Sequence, residues 1–341
     1  MNGKRNEYID LVKGIAILFV VVGHCIQFGS GADYLSTGEF FENPVFKFIY
    51  SFHMPLFMLI SGYLFFFSAQ RKTFVVIKNK VMGILLPLVT WHTVVQLISL
   101  TFGGKFSPTV FFLSYFQTLW FLRALFFCCM ITLFINRVCK DESFGFIITT
   151  ILLFFIPQRI IPDVFVFTTP FFFAGYLANK YQVISSFLQS PTKHQKGILM
   201  FCSLAFFIML WNYEKDYYVY VSGTCLFSQY HPIGYMLFVN IYRIVTATMG
   251  CPFILWATTW LHQLTKSCFM KGLIIKLSQS SLCIYIVNHY LNDTLLISLP
   301  IHQVNYLFVT IETVGVILIS YACYWLLKQN KVSSQMFLGG R

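Results

Sequence analysis

The segment at residues 8–27 constrains the fold most, because it is long and apolar enough to form one membrane-spanning helix. Within it, the strongly polar side chains are those of Asp10, Lys13, His24 and Gln27. At about 100° per residue, Lys13 and His24 lie within about 20° of each other around the helix axis and about 16 Å apart along it. The segment therefore predicts a helix with one polar stripe. An ionisable group at membrane depth favours a functional site there.

A polar stripe of this kind is also compatible with roles that involve no catalysis. Asp10 and Lys13 would reach the membrane surface by snorkelling, while His24 would hydrogen-bond a neighbouring helix. In a transporter or flippase, the same stripe would line a substrate or proton path. A membrane scaffold without an active site would leave the stripe without a purpose, so we rank it last.

Similar apolar segments recur along the chain, of which 57% is hydrophobic and only 11% charged. Soluble proteins carry about 25% charged residues. We therefore predict an all-α polytopic membrane helix bundle of about ten transmembrane helices, formed as one domain over residues 1–341 with no soluble domain. The predicted spans are 9–28, 46–67, 81–100, 118–135, 144–156, 164–177, 197–213, 232–261 (one kinked helix), 277–299 and 304–327.

The basic residues predict the orientation of these spans. With ten spans and a cytoplasmic N-terminus, the inner segments carry eighteen Lys and Arg residues, the outer loops carry four, and two lie within spans. This asymmetry follows the positive-inside rule, so both termini are expected in the cytoplasm and the net charge of +12 needs no nucleic-acid partner. We expect a bacterial plasma (inner) membrane protein without a cleavable signal, because Asp10 and Lys13 interrupt the first apolar run. The ten cysteines show no metal-ligand spacing, so no metal is expected.

This topology brings three more polar residues to the depth of His24. His53 and Arg123 each lie near the outer end of a predicted span, and Trp120 precedes Arg123 by less than one turn. Each is also compatible with a structural role, since His53 could bond a carbonyl freed by Pro55, Arg123 could snorkel, and Trp120 suits an aromatic belt. His289 lies near mid-membrane, where a helix–helix hydrogen bond is slightly favoured over catalysis.

Six sequence blocks resemble those of a known family. The segment from Tyr8 to His24 resembles the opening block of the acyltransferase 3 family of integral membrane O-acyltransferases, which has a basic residue, ten intervening positions and then a histidine. FHMPLFMLISGYLF, from Phe52 to Phe65, resembles the second-helix block of that family. KNKVMGILLP, LWFLRALF, FFFAGYLANK and SLCIYIVNH resemble its later blocks, in order. Two positions depart from the family, since Lys13 and Gly83 stand where Arg is usual, and Lys lacks the planar fork of Arg.

The resemblance implies transfer of an acyl group, commonly acetyl from acetyl-CoA as co-substrate, to a hydroxyl of a carbohydrate or lipid-linked glycan. His24 would then be the general base, since a neutral imidazole suits proton removal near pH 7. Asp10, Lys13, His53, Trp120 and Arg123 would bind substrate, with Arg123 or a protonated His53 as oxyanion donor. The basic residues expected to face the CoA phosphates are Arg71, Lys72, Lys78, Lys80, Lys271 and Lys276. An extended pantetheine arm of roughly 15 Å would reach from Lys13 to His24.

Overall fold

The computed structural model describes residues 6–101, 107–183, 193–227, 231–264, 269–294, 296–298 and 304–340. Within these ranges all regular structure is helical, which confirms the all-α prediction. The α-helices are α1 (Glu7–Phe28), α2 (Gly31–Thr37), α3 (Pro44–Ala69), α4 (Thr73–Lys80), α5 (Leu86–Thr101), α6 (Pro108–Gln117), α7 (Trp120–Val138), α8 (Glu142–Leu153), α9 (Asp163–Lys180), α10 (Lys193–Trp211), α11 (Val219–Ser222), α12 (Ile233–Leu264), α13 (Phe269–Thr294), α14 (Tyr306–Lys328) and α15 (Lys331–Leu338).

Eight helices in the described part of the chain are long and apolar enough to cross a membrane: α1, α3, α4 continuing into α5, α7, α10, α12, α13 and α14. The prediction of about ten spans also counted α8 and α9, which are not among these eight. Helix α8 has 12 residues, or about 18 Å, which is short for a hydrocarbon core of about 30 Å. Helix α9 has 18 residues, and its apolar run is interrupted by Thr168, Thr169 and Pro170. The predicted eighth span forms the single helix α12, with Pro252 inside it.

Local sequence signals account for where the first helices begin. The side chain of Asn6 accepts the backbone N–H groups of Tyr8 and Ile9, so it caps α1. Asn43 caps α3 in the same way, with Pro44 in the first turn, where its missing N–H costs no hydrogen bond. The basic segment before the third span is helical rather than a loop, because α4 runs into a π-helical turn at Val81–Leu85 and then into α5.

Close backbone contacts bring α1 and α3 into place. A Cβ on Gly14 would lie 2.2 Å from the carbonyl oxygen of Ile274, so only glycine lets α1 approach α13 this closely. Gly62 of α3 lies equally close to the backbone of α9, where a Cβ would lie 1.9 Å from the carbonyl oxygen of Phe172. These contacts fix the relative heights of the helices that carry the site.

Residues near each end of the described chain contact other helices. Glu7, at the start of α1, pairs with Lys271 at the start of α13 over 2.6 Å. Gly339, after α15, contacts Gly83 in the π-helical turn. The cytoplasmic location of both termini stays a prediction.

Candidate active site

A cavity of about 290 Å³ lies beside the first half of α1, and we call it the basic cavity. Lys13 and Lys80 line it together with apolar side chains such as Ile17 and Phe65. The ammonium group of Lys80 also lies 5.1 Å from the centre of the Phe65 ring. No carboxylate is among the described residues that line this cavity, so its charge is positive and suits an anionic ligand.

A smaller cavity of about 140 Å³ adjoins the basic cavity and reaches Gly339, and we call it the vestibule. Arg71 and Asn79 line it, and it shares Ser68, Lys80 and Gly83 with the basic cavity. A Cβ on Gly83 would meet no atom within 4 Å, so the position at which the family usually has Arg opens into free space here. The vestibule therefore extends the positive lining of the basic cavity.

The third cavity, of about 490 Å³, lies beside the second half of α1, and we call it the histidine cavity. Its lining includes His24, His53 and His289, from three different helices, and the cation of Arg123. Among the described lining residues there is no carboxylate, so the histidines are the side chains suited to removing a proton near pH 7. The polar stripe predicted for α1 runs along all of this space, from Lys13 in the basic cavity to His24 and Gln27 in the histidine cavity.

His24 is half-buried, and its Nδ1 lies 2.6 Å from Nδ2 of Asn288 on α13. Asn288 is fully buried, and its Oδ1 has no partner among the described residues. Since Nδ1 is engaged by this amide, Nε2 is the ring nitrogen of His24 that remains for a substrate in the cavity. The amide of Asn288 thus decides which ring nitrogen of His24 carries the proton.

His53 is buried, and its Nδ1–H donates to the carbonyl of Ile49 over 2.8 Å. The partner of His53 is a backbone carbonyl, as a structural role requires. It is the carbonyl of Ile49, however, and not that of Ser51, which Pro55 leaves without its helical hydrogen bond. Because a carbonyl only accepts, neutral His53 presents a lone pair at Nε2 rather than a donor. Only its protonated form could therefore serve as the predicted oxyanion donor.

Arg123 and Trp120 both line the histidine cavity from the first turn of α7. The Nε–H group of Arg123 donates to the carbonyl of Thr118 over 3.2 Å, and its guanidinium carbon lies 5.9 Å from the centre of the Phe165 ring. These contacts hold the cation beside the cavity. The structure thus brings together His24, His53, Trp120 and Arg123, four of the predicted site residues.

Other predicted residues lie apart from this group. Asp10 is not among the residues that line the three cavities; its Oδ1 accepts the Ser278 hydroxyl over 3.1 Å and joins α1 to α13. Lys271, expected to face CoA phosphates, pairs with Glu7, and its role toward CoA stays a prediction. Of the basic residues expected to face CoA, Arg71 and Lys80 are the ones that line the vestibule.

The segment after α10 forms one wall of the histidine cavity, although its sequence predicts only an outside loop. Tyr213, Tyr217, Tyr218 and Tyr220 line the cavity from this wall. Burial raises the pKa of Tyr218 well above its ordinary value, so its hydroxyl stays protonated. That hydroxyl has no hydrogen-bond partner among the described residues and is available to a ligand.

A buried polar cluster fixes this wall. Arg243 of α12 is fully buried and donates to the Gly223 carbonyl over 2.8 Å and to the Ser222 hydroxyl over 2.6 Å. Asp163 accepts both the backbone N–H and the hydroxyl of Thr224, at 2.7 and 2.6 Å. A buried cation and a buried carboxylate thus hold adjacent residues of the same loop.

Several residues of this site were not predicted, although the sequence contains a signal for some of them. Tyr285, Asn288, His289 and Asn292 recur at helical spacing on α13, so they share a face, as the stripe on α1 does. Three of them line the histidine cavity and Asn288 contacts His24. The tyrosine wall had no comparable signal, because its position depends on contacts with α9 and α12. Within the described residues, no group of three His, Cys, Asp or Glu side chains could hold a metal ion.

Comparison with known proteins identifies relatives of this chain. It is 29% identical to the nodulation protein NolL of Sinorhizobium fredii over 223 residues, which cover 63% of this chain and 60% of that protein. It is 27% identical to the nodulation protein NolL of Mesorhizobium japonicum over 299 residues, 83% of this chain and 75% of that protein. No solved structure matches the chain.

The family comparison covers more of the sequence than either relative. The family model described as an acyltransferase domain, acyltransferase 3, matches residues 6–325. This range contains α1 to α13 and nearly all of α14, and hence every residue of the three cavities except Gly339. The chain therefore belongs to the acyltransferase 3 family.

Proposed function

We propose that this protein is a membrane O-acyltransferase that moves an acyl group, acetyl in the first instance, from cytoplasmic acyl-CoA to a hydroxyl of a carbohydrate or lipid-linked glycan. The observation that carries the proposal is the series of three adjoining cavities, which begins with cations and ends with histidines. Such a series suits a long co-substrate that has phosphates at one end and a reactive thioester at the other.

The donor would enter from the vestibule. Arg71, Lys80 and Lys13 offer positive charge to the CoA phosphates, and the apolar lining beyond them suits the pantetheine arm. The length of that arm, roughly 15 Å, matches the separation of Lys13 and His24 along α1. A CoA bound with its phosphates at Lys13 would therefore present its thioester near His24.

The acceptor would occupy the histidine cavity from the opposite end. Aromatic side chains such as Trp120 and Tyr217 offer flat faces to a sugar ring. The buried hydroxyl of Tyr218 and the buried Oδ1 of Asn292 have no partners among the described residues, so they can bond acceptor hydroxyls. A polyhydroxyl compound would satisfy these groups, which an apolar ligand would leave unpaired.

His24 would remove the proton of the acceptor hydroxyl through Nε2 as the oxygen attacks the thioester carbon. This requires the ring proton on Nδ1 and hence an acceptor facing Nδ1. A rotation of the Asn288 side-chain amide by half a turn supplies that acceptor. It exchanges the positions of the two amide atoms, so the unpartnered Oδ1 then faces Nδ1 of His24 in place of Nδ2. When the C–S bond breaks, the imidazolium returns the proton to the leaving thiolate, and free CoA is formed.

A transporter remains the second candidate, since a chain of polar cavities also suits a transport path. Membership of an acyltransferase family favours the enzyme. The test is purified protein in lipid nanodiscs, supplied with radiolabelled acetyl-CoA and a panel of oligosaccharides and lipid-linked glycans. We expect labelled acceptor and free CoA to form in equal amounts, with mass spectrometry identifying an O-acetylated product. Movement of an intact substrate across liposomes without thioester cleavage would overturn the enzyme and support the transporter.

A further inference from the structure

The basic cavity and the histidine cavity meet at three side chains that line both, namely Val20, Met54 and Tyr285. We call this junction the neck. In the proposed reaction the donor arrives from one cavity and the acceptor from the other, so the reacting carbon must lie where the two meet. Tyr285 carries the one hydroxyl among the three residues and is 9% exposed.

The hydroxyl of Tyr285 is oriented by the backbone. Its oxygen accepts the N–H of Phe121 over 3.2 Å, in the first turn of α7. Among the described residues nothing accepts the proton of this hydroxyl, which leaves that proton for a ligand in the neck. Accepting a hydrogen bond also strengthens a hydroxyl as a donor, and the first turn of a 19-residue helix adds partial positive charge nearby.

We propose, resting on the proposed function, that the thioester of the donor is held at the neck and that Tyr285 is a catalytic residue whose O–H donates to the thioester oxygen. As the acceptor oxygen bonds to the thioester carbon, the C=O electron pair moves to this oxygen, and the Tyr285 hydroxyl stabilises the resulting anion. Collapse restores the C=O bond, breaks the C–S bond and releases CoA thiolate, which takes the proton held by His24. Tyr285 keeps its own proton throughout.

Tyr285→Phe tests the catalytic part, because it removes the hydroxyl and keeps the ring that shapes the neck. Loss of one such donor typically lowers kcat by about 100-fold or more. We expect a loss of that order with the KM for acetyl-CoA within about threefold of wild type. A kcat within about threefold of wild type, or a raised KM with unchanged kcat, would overturn the role of Tyr285.

Tyr176→Phe is the matched control. The Tyr176 hydroxyl likewise accepts an N–H, from Asn136 over 2.7 Å, but Tyr176 lines none of the three cavities. Thermal stability of both variants in detergent measures the structural cost of losing such a hydrogen bond. Equal losses of kcat in both variants would assign the effect at Tyr285 to stability and overturn the proposal.

Met54→Ala tests the location of the thioester separately. One methylene in an apolar site changes selectivity by about 10-fold or more. Shortening Met54 should therefore raise kcat/KM for butyryl-CoA relative to acetyl-CoA by about that factor. An unchanged ratio would place the acyl group elsewhere and overturn the neck as its site. Acyl transfer by wild type is measured in the same assay, so its absence would refute the proposed function itself, whereas a normal wild type with unaffected variants would refute only this inference.

Discussion

Replacement of His24 by Gln tests the proposed chemistry most directly. A general base contributes about 10²- to 10⁴-fold to the rate, which corresponds to about 3 to 5 kcal/mol of transition-state stabilisation. Gln can bond the Asn288 amide that lies 2.6 Å from Nδ1 in the wild type, but it has no basic nitrogen near neutral pH. His24→Ala would in addition leave the fully buried Asn288 amide unpaired, at a cost of about 1 to 3 kcal/mol of folding stability. Gln is therefore the cleaner variant, and we expect its kcat to fall at least 100-fold.

The assay is release of CoA and labelling of acceptor in nanodiscs, measured from pH 5 to pH 9. In the wild type, kcat/KM should rise with pH as the imidazole loses its proton, because only the neutral ring accepts the proton of the acceptor. The residual kcat/KM of His24→Gln should not rise with pH in this way, and binding of a non-hydrolysable acetyl-CoA analogue should be unchanged. Near-normal turnover by His24→Gln would refute the reasoning and assign His24 a structural hydrogen bond. The base would then be sought at His53, whose neutral form presents a lone pair at Nε2, or at His289.

Four further outcomes are expected. Asn288→Asp should remain active, and the rise of kcat/KM with pH should move to higher pH, because a carboxylate only accepts from Nδ1–H and stabilises the imidazolium. Loss of activity would indicate that the amide must donate a hydrogen bond to His24. Gly83→Arg should lower the KM for acetyl-CoA relative to the uncharged control Gly83→Gln, because the vestibule gains a cation in free space; equal KM values would exclude phosphate binding there. Arg243→Met should raise the KM for the acceptor about 10-fold or more and leave the donor KM unchanged, as the tyrosine wall loses two charge-assisted hydrogen bonds; unchanged acceptor kinetics would show that the wall does not bind acceptor. Reporter fusions at Gln70 and Thr37 should lie in the cytoplasm and outside, respectively, and the reverse result would invert the predicted orientation.

The charge of the cavities connects these predictions. The lining of the vestibule and basic cavity supplies Arg71, Lys80 and Lys13 without a described carboxylate, so substitutions there should act on the donor. The histidine cavity is fixed by buried hydrogen bonds from α12 and α13, so substitutions there should act on the acceptor or on the chemical step. Substitutions that change only donor kinetics in the first two cavities, and only acceptor kinetics or kcat in the histidine cavity, would therefore support these roles even before the acceptor is identified.

The sequence by itself determined the class of fold and the stripe on α1. Low charge and long apolar segments leave a helix bundle in a membrane as the available structure, and helical geometry alone aligns Lys13 with His24. The predicted topology also indicated that His53 and Arg123 lie near His24, since the direction in which each span crosses the membrane places all three residues at a similar depth. These properties are local, because they depend only on period, length and charge within one segment.

Only the tertiary structure decided which neighbours complete the site. The pairing of Asn288 with His24, the neck at Tyr285 and the tyrosine wall held by Arg243 join segments up to 264 residues apart. Periodicity gives the face of each helix but not which other helix that face meets. Close packing at glycines such as Gly14 makes that choice. The same packing places Ser278 beside Asp10, a predicted substrate ligand that does not line the three cavities, because a polar group on a helix bonds the partner that the adjoining helix presents.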